Sequence, residues 1–299
     1  MHPAGGGLGG RAGGRHRRSV AGDYRLTIPP GAEASGPANP FAGDLDIDDP
    51  IDVVGAGVGV SVIDGMNTNR IFDVHRGGSL WLRGVTLTNG KADYDGDSGH
   101  VHGGAIHNHG KLSLDHVAVV NSSSTSPGWG GGGITNAGQA WLWDVTVARN
   151  RSGARGGGIE NKGTMSMLDV TVAENFASHG GEGIYLAPHS VMLAWETLVA
   201  KNRDGKNCAG PGFVKSFRAN LQGDPSCRFN RSTDRTGDPG FNPHRPGPPL
   251  FYPLLPTSRA IDTTSWCFAP DDIRRVPRPQ DGNGDGTALC DTGSYERGP

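Results

Sequence analysis

Gly131-Gly132-Gly133-Ile134-Thr135-Asn136-Ala137-Gly138 is the stretch whose reading decides the fold. The same grammar, Gly-Gly-x-Ile-x-Asn-x-Gly, stands at Gly103-Gly104-Ala105-Ile106-His107-Asn108-His109-Gly110 and at Gly156-Gly157-Gly158-Ile159-Glu160-Asn161-Lys162-Gly163. A degenerate fourth copy is Gly181-Glu182-Gly183-Ile184-Tyr185-Leu186. The isoleucines step by 28, 25 and 25 residues. Each copy is followed by an apolar alternation with the form L-x-L-x-x-V-x-V. Its members are Leu112, Leu114, Val117, Val119; then Ala140, Leu142, Val145, Val147; then Met165, Met167, Val170, Val172. An earlier one, without the glycine segment, is Leu80, Leu82, Val85, Leu87, and the strands end in Asn89, Asn121, Asn150, Asn175 and Asn202.

A period in the range of ~20–50 residues marks a solenoid, a propeller or an array. Period-two alternation excludes helical repeats. A repeat of 25 residues is too short for a four-stranded propeller blade, and no leucine-rich consensus with a helix is present. The expectation is an all-β chain folded as a single-stranded right-handed parallel β-helix, a solenoid with an irregular C-terminal cap. Each strand then bonds to its equivalent one coil on, about 4.8 Å away. Leu112 is expected over Leu142 or Ala140, and these over Met167. With Ile106, Ile134 and Ile159 inward, parity turns Asn108, Asn136 and Asn161 inward too. Their stacked amides are assigned to structure, because buried polar groups need partners. Two insertions, 91–102 and 122–129, break the period and are expected to project from one face.

Fifty of the 299 residues are glycine, with no Gly-X-Y period. Charged residues make up 19% and the net charge is −2, which argues against nucleic acid or an acidic membrane surface as partner. No apolar run is long enough for a membrane-spanning helix. Residues 1–22 read as a disordered, basic, glycine-rich tail; Arg11, Arg15, Arg17 and Arg18 lie there without the apolar core of a signal peptide. The β-helix is expected over 23–203. Residues 204–299 are expected to form an irregular strap and cap, with the proline-rich 239–256 as an extended strap. The four cysteines, Cys208, Cys227, Cys267 and Cys290, show no C-x-x-C spacing, which argues against zinc. An even count fits disulfides and an oxidising compartment, with three connectivities open.

The glycine–isoleucine–asparagine segments and the Val-Thr-Val strands after them resemble the β-helix repeats of bacterial surface and secreted proteins, including the polymorphic outer-membrane protein type. The stretches Asp23-Tyr24-Arg25-Leu26-Thr27-Ile28, Gly43-Asp44-Leu45-Asp46-Ile47, Val53-Val54-Gly55-Ala56-Gly57 and Ile63-Asp64-Gly65 are similar to the entry coils of that group. Ala260-Ile261-Asp262, Arg275-Val276-Pro277-Arg278-Pro279 and Cys290-Asp291-Thr292-Gly293-Ser294-Tyr295-Glu296 look like the closing segment of "choice-of-anchor Q" β-helix proteins. The likeness covers most of 23–296. It implies export, an extracellular or cell-surface place, and disulfides Cys208–Cys227 and Cys267–Cys290. It brings no catalytic residues. The chain departs from that group in lacking its Cys-Ser-Leu-Arg-Glu-Ala-like opening.

Four features are candidate sites. His100, His102, His107 and His109 form two His-x-His pairs, which suit a transition metal or sit on an inserted loop as surface residues; His107 and His109 are expected to point outward. Asp281, Asn283 and Asp285 open a calcium-loop pattern, although position twelve is Thr292, with Asp291 one place off; a flexible turn is the plainer reading. Among the outward charges Asp115, Asp144, Asp169, Glu160, Arg155 and Lys162, Asp144 and Asp169 align one coil apart, as catalytic carboxylates or as solvated ones. Trp81, Trp141 and Trp143 face outward as a sugar-stacking platform or as a surface covered by the C-terminal tail, the tail being preferred. The leading expectation for function is an exported, non-catalytic scaffold, monomeric, adhesive or carbohydrate-binding, whose partner is a polysaccharide or another cell-surface component. The alternatives are a polysaccharide lyase or glycoside hydrolase, and a metal-binding module built on the histidine loop. The sequence requires no cofactor, and calcium is the candidate it offers.

Overall fold

The structure, a computed structural model, describes residues 21–27, 43–92, 102–125, 128, 130–203, 205–243 and 250–299. The chain is nearly all β; among the described residues the one helical turn is the 3₁₀ turn Pro225–Cys227. Among the described residues the strands pair in parallel, and isolated antiparallel bridges occur only in the C-terminal segment, such as Phe241 with Leu254 and Thr264 with Cys290.

The strand grammar holds a puzzle that the backbone resolves. Side chains alternate with period two, so a leucine and a valine three residues apart belong on opposite faces. Yet Leu82 and Val85, Leu114 and Val117, and Leu142 and Val145 are all buried on the same side. The residue before each valine takes a left-handed conformation: Gly84 (φ 61°), His116 (53°), Asp144 (49°) and Asp169 (53°), continued by Glu196 (47°) and Ala219 (47°). This one extra residue per turn bends the ten-residue strands Ser79–Thr88, Lys111–Val120, Gln139–Ala148 and Thr164–Ala173 and restores inward parity.

Three sheets result. The long strands belong to a twelve-stranded sheet. The three-residue strands Phe72–Val74, Ile106–Asn108, Ile134–Asn136, Ile159–Asn161 and Ile184–Leu186 lie in a seven-stranded sheet. The two-residue strands Lys91–Ala92, Ser123–Ser124, Arg151–Ser152 and Phe176–Ala177 form a four-stranded sheet. In the middle of the chain each pass visits them in that order: short strand, long strand, two-residue strand. At the entry to the four short strands that begin with isoleucine, Gly103, Gly131, Gly156 and Gly181 have φ between 62° and 78°. A Cβ on Gly103 would stand 2.0 Å from the Ile106 carbonyl oxygen, so only glycine fits.

Register is one pass to the next. Ile106, Ile134, Ile159 and Ile184 stand in line. Leu112 lies over Ala140 and Met165, while Leu114 lies over Leu142 and Met167. The expected column that joined Leu112 to Met167 is therefore two columns. Pairing also runs past the expected boundary at 203: Cys208–Ala209 pairs with Ile184–Leu186, Phe213–Arg218 with Val191–Trp195, Leu221–Gln222 with Leu198–Ala200, and Arg235–Thr236 with Leu221–Gln222. Cys208 takes the place that isoleucine holds in earlier passes. The disulfides Cys208–Cys227 and Cys267–Cys290 are both present.

Two files of side-chain amides thread the interior. Asn108 Nδ2 donates to Asn136 Oδ1 at 2.7 Å, and Asn136 Nδ2 to Asn161 Oδ1 at 2.8 Å. They also donate to the carbonyls of Gln139 and Thr164. A second file runs Asn150, Asn175, Asn202, Asn207 and ends on Asp224. Of the strand-end asparagines, only Asn150, Asn175 and Asn202 belong to it. Asn89 and Asn121 stand one place earlier, both with φ 54°. Asn136→Ala should take one partner each from the buried Asn108 amide and Asn161 side-chain carbonyl oxygen and cost about 1–3 kcal/mol, read as a lower denaturant midpoint at unchanged slope.

The C-terminal segment covers one half of the twelve-stranded sheet. Leu250, Tyr252 and Ile273 pack on Ala118, Val120, Ala148 and Ala173. Leu254, Ala260 and Ile261 pack on Leu198, Ala200 and Leu221. Ser294 Oγ is 2.8 Å from Thr146 Oγ1. These partners are the outward residues that follow the left-handed position. Trp81, Trp141 and Trp143, which precede it, belong to neither of these clusters of described tail residues, so the expected cover by the tail is not seen among the described residues.

Candidate functional site

The uncovered half of the twelve-stranded sheet carries two outward files. Strand register lines up Asp52, Trp81, Ser113, Trp141, Ser166, Leu193 and Lys215 in one, and Val54, Arg83, Asp115, Trp143, Leu168, Trp195 and Arg218 in the other. Trp143 is 41% exposed, and Trp81, Trp141 and Trp195 are half-buried. Trp195 stacks on Phe217 with centroids 4.0 Å apart. Arg83 lies 4.8 Å over the Trp81 ring and is paired with Asp115 at 2.7 Å. At the far end Arg218 sits by Trp266 and Phe268, which are exposed on either side of Cys267.

The seven-stranded sheet carries a polar file: Asp46, Asp73, His107, Thr135, Glu160 and Tyr185 are in register. His107 leaves the strand on the outer side, as parity requires, but it is buried, so the surface placement expected of it is corrected. Burial lowers its imidazole to about 4, against the pull of Asp73. Burial works to raise the Asp73 carboxyl, but Arg70 and His107 overrule it and hold it well below the ordinary range. Arg70 also bonds Asp44. His102 stacks on His107 at 5.2 Å, with its Nδ1 3.3 Å from Lys162 Nζ and 3.7 Å from Glu160. His109 packs edge-on to His107 and is lowered by burial as well. Among the described residues no three His, Cys, Asp or Glu side chains converge as a metal site. His100 lies outside the described residues.

Asp144 and Asp169 are expected from the sequence as outward carboxylates, catalytic or solvated. Both are buried, at 1% and 0% exposure, because the C-terminal segment lies on them. Arg278, which nothing in the repeat singles out, reaches between them from more than a hundred residues away. Its guanidinium is 3.3 Å from Asp144, 3.4 Å from Asp169 and 3.3 Å from Glu296. It also donates to the carbonyls of Asp291 and Gly293. Glu196, one turn beyond Asp169, is pushed up to about 9 by burial and by the Asp169 charge. Asp144 is raised for the same reasons, burial first and then Asp169. Acid outnumbers base here, so the cluster holds protons at neutral pH, and no polymer can reach it. His116 and Asp271, 3.2 Å apart, extend the contact by one more turn.

The Asp281, Asn283 and Asp285 loop satisfies itself. The Asp281 carboxylate accepts from the amides of Gly284, Asp285 and Gly286. Asn283 Oδ1 accepts from Asp285 N, and Asp285 Oδ1 from Thr287 N. Asp291 is turned instead to the amides of Asp262 and Arg297. No helix among the described residues is long and apolar enough to cross a membrane. Set beside known proteins, the chain matches no family model, no curated protein and no solved structure.

Proposed function

We propose that the chain is an exported right-handed parallel β-helix, closed by a disulfide-stapled C-terminal cap, that serves outside the cell or on its surface as a non-catalytic binding scaffold. One observation carries this reading: the tail seals Asp144 and Asp169, the carboxylate pair that the repeat aligns, while Trp143 stays exposed. The three sheets with one-pass register support the β-helix. The two disulfides suit an oxidising compartment.

The scaffold reading predicts no turnover. Purified protein incubated with acidic and neutral polysaccharides, with and without calcium, should release neither new reducing ends nor unsaturated products. Steady product release would overturn the reading. Asp73→Asn and His107→Ala would then be the first variants to assay, because His107 is a buried imidazole with a carboxylate 3.5 Å away.

A further inference from the structure

The two outward halves of the twelve-stranded sheet differ in composition as they differ in cover. The covered half sets small residues, Ala118, Thr146, Thr171, Ala148 and Ala173, in its middle turns, with Val120, Leu198 and Leu221 beside them, and the tail lies on it. The open half sets tryptophan on alternate turns. Trp81, Ser113, Trp141 and Ser166 follow one another in the first file, and Trp143, Leu168 and Trp195 in the second. Two turns span roughly 9.5 Å along the stack, and each file repeats its aromatic at that interval.

Resting on the scaffold reading, we propose that this face binds an extended, uncharged β-1,4-linked polysaccharide lying along the stack axis. In such a chain successive sugars are flipped, so the same ring face turns to one side at every second residue. That two-sugar repeat matches an aromatic on every second turn. The ring C–H face stacks on tryptophan. The serines between, Ser113 and Ser166, offer hydroxyls to the sugar that faces the other way. Charge agrees with an uncharged ligand: in the middle of the face Arg83 and Asp115 neutralise each other at 2.7 Å. The further cations of the two files, Lys215 and Arg218, stand at the far end, the first over Phe217 and the second on Glu196.

The test is calorimetric titration of the full chain with cellohexaose and chitohexaose, beside maltohexaose and polygalacturonate. Binding of at least one β-1,4-linked uncharged hexamer is expected, weakened roughly ten-fold or more in Trp141→Ala and in Trp143→Ala, and kept in Trp143→Tyr. Circular dichroism of each variant should equal that of the parent, since both rings lie outside the core. Binding of neither hexamer, or binding indifferent to both alanine changes, overturns the proposal. So does preference for the α-linked or acidic glycan, although tryptophan-dependent binding of those would leave the scaffold reading standing. Cleavage of the hexamer during the titration would sink the scaffold reading and leave the aromatic face in place.

Discussion

Arg278→Met should loosen the C-terminal segment and cost about 3–5 kcal/mol, the penalty for removing one partner from a buried ionic cluster. The cost does not come from losing favourable ion pairs as such. A buried pair roughly breaks even against its desolvation. It comes from what is left behind. Asp144, Asp169 and Glu296 would face one another in a dry interface without their common cation. The carbonyls of Asp291 and Gly293 would lose a donor. The side-chain stem is nearly conserved in methionine, so cavity formation adds little. Denaturant unfolding and limited proteolysis give the readout. The expected pattern is a lowered midpoint, with new cleavage appearing first between residues 250 and 299. Asp144→Asn in the same chain should recover part of the loss by removing one uncompensated charge. A variant with the parent's midpoint and cleavage pattern would show that apolar packing of Tyr252, Leu254 and Ile261 alone holds the segment.

What the sequence made legible was periodic, and what it hid was not. Period-two alternation and a fixed repeat are enough to line up Ile106 with Ile134 and Ile159, and to turn Asn108, Asn136 and Asn161 into the same interior. The same parity sends His107 and Trp143 to the outer side of their strands, where they stand; Asp144 and Asp169 occupy the left-handed positions at which the alternation breaks. Parity says which side of a strand a residue leaves from, and nothing about what else lies on that side. Trp143 meets water; Asp144, next in sequence, meets Arg278 from 134 residues on. Its left-handed φ was readable only as an unexplained extra residue in L-x-L-x-x-V-x-V. The boundary at 203 fell short for a related reason. The pass after it replaces the isoleucine by Cys208 and loses the glycine pair, so the pattern fades before the pairing does. Arg278 itself sits among the tail residues, in a stretch with no period, where local sequence gives no direction to a side chain.

Raising the pH from 5 to 9 should loosen the same segment. Glu196 is pushed up to about 9, Asp291 to about 8 and Glu296 to about 7, each chiefly by burial. The groups that face them from every side are Asp144, Asp169 and Arg218 on the stack, and Arg278, Asp272 with Arg274, and Arg297 on the tail. For a carboxyl whose folded pKa stands above its unfolded one, the folded state keeps a proton that the unfolded state gives up. The stability this contributes is whole below the unfolded value near pH 4 and drains away as the pH rises through the folded value. The cluster therefore loses strength across pH 5 to 9, by several kcal/mol in order of magnitude, the three acids titrating together rather than one by one. Two other groups set the acid side. His107, lowered to about 4, contributes stability that is present at neutral pH and lost as the pH falls from its ordinary value towards 4. Asp115, held low by His116 and Arg83 against its own burial, loses its contribution as it takes a proton in acid. Stability should thus peak at mildly acidic to neutral pH and fall on both sides. Denaturant midpoints at pH 4, 6, 7.5 and 9 measure it, and Glu196→Gln should flatten the alkaline limb while leaving the acid limb alone. A midpoint that stays level or rises between pH 6 and 9 would mean that the acids under the tail are ionised at neutral pH, with water reaching them where the interface is drawn closed.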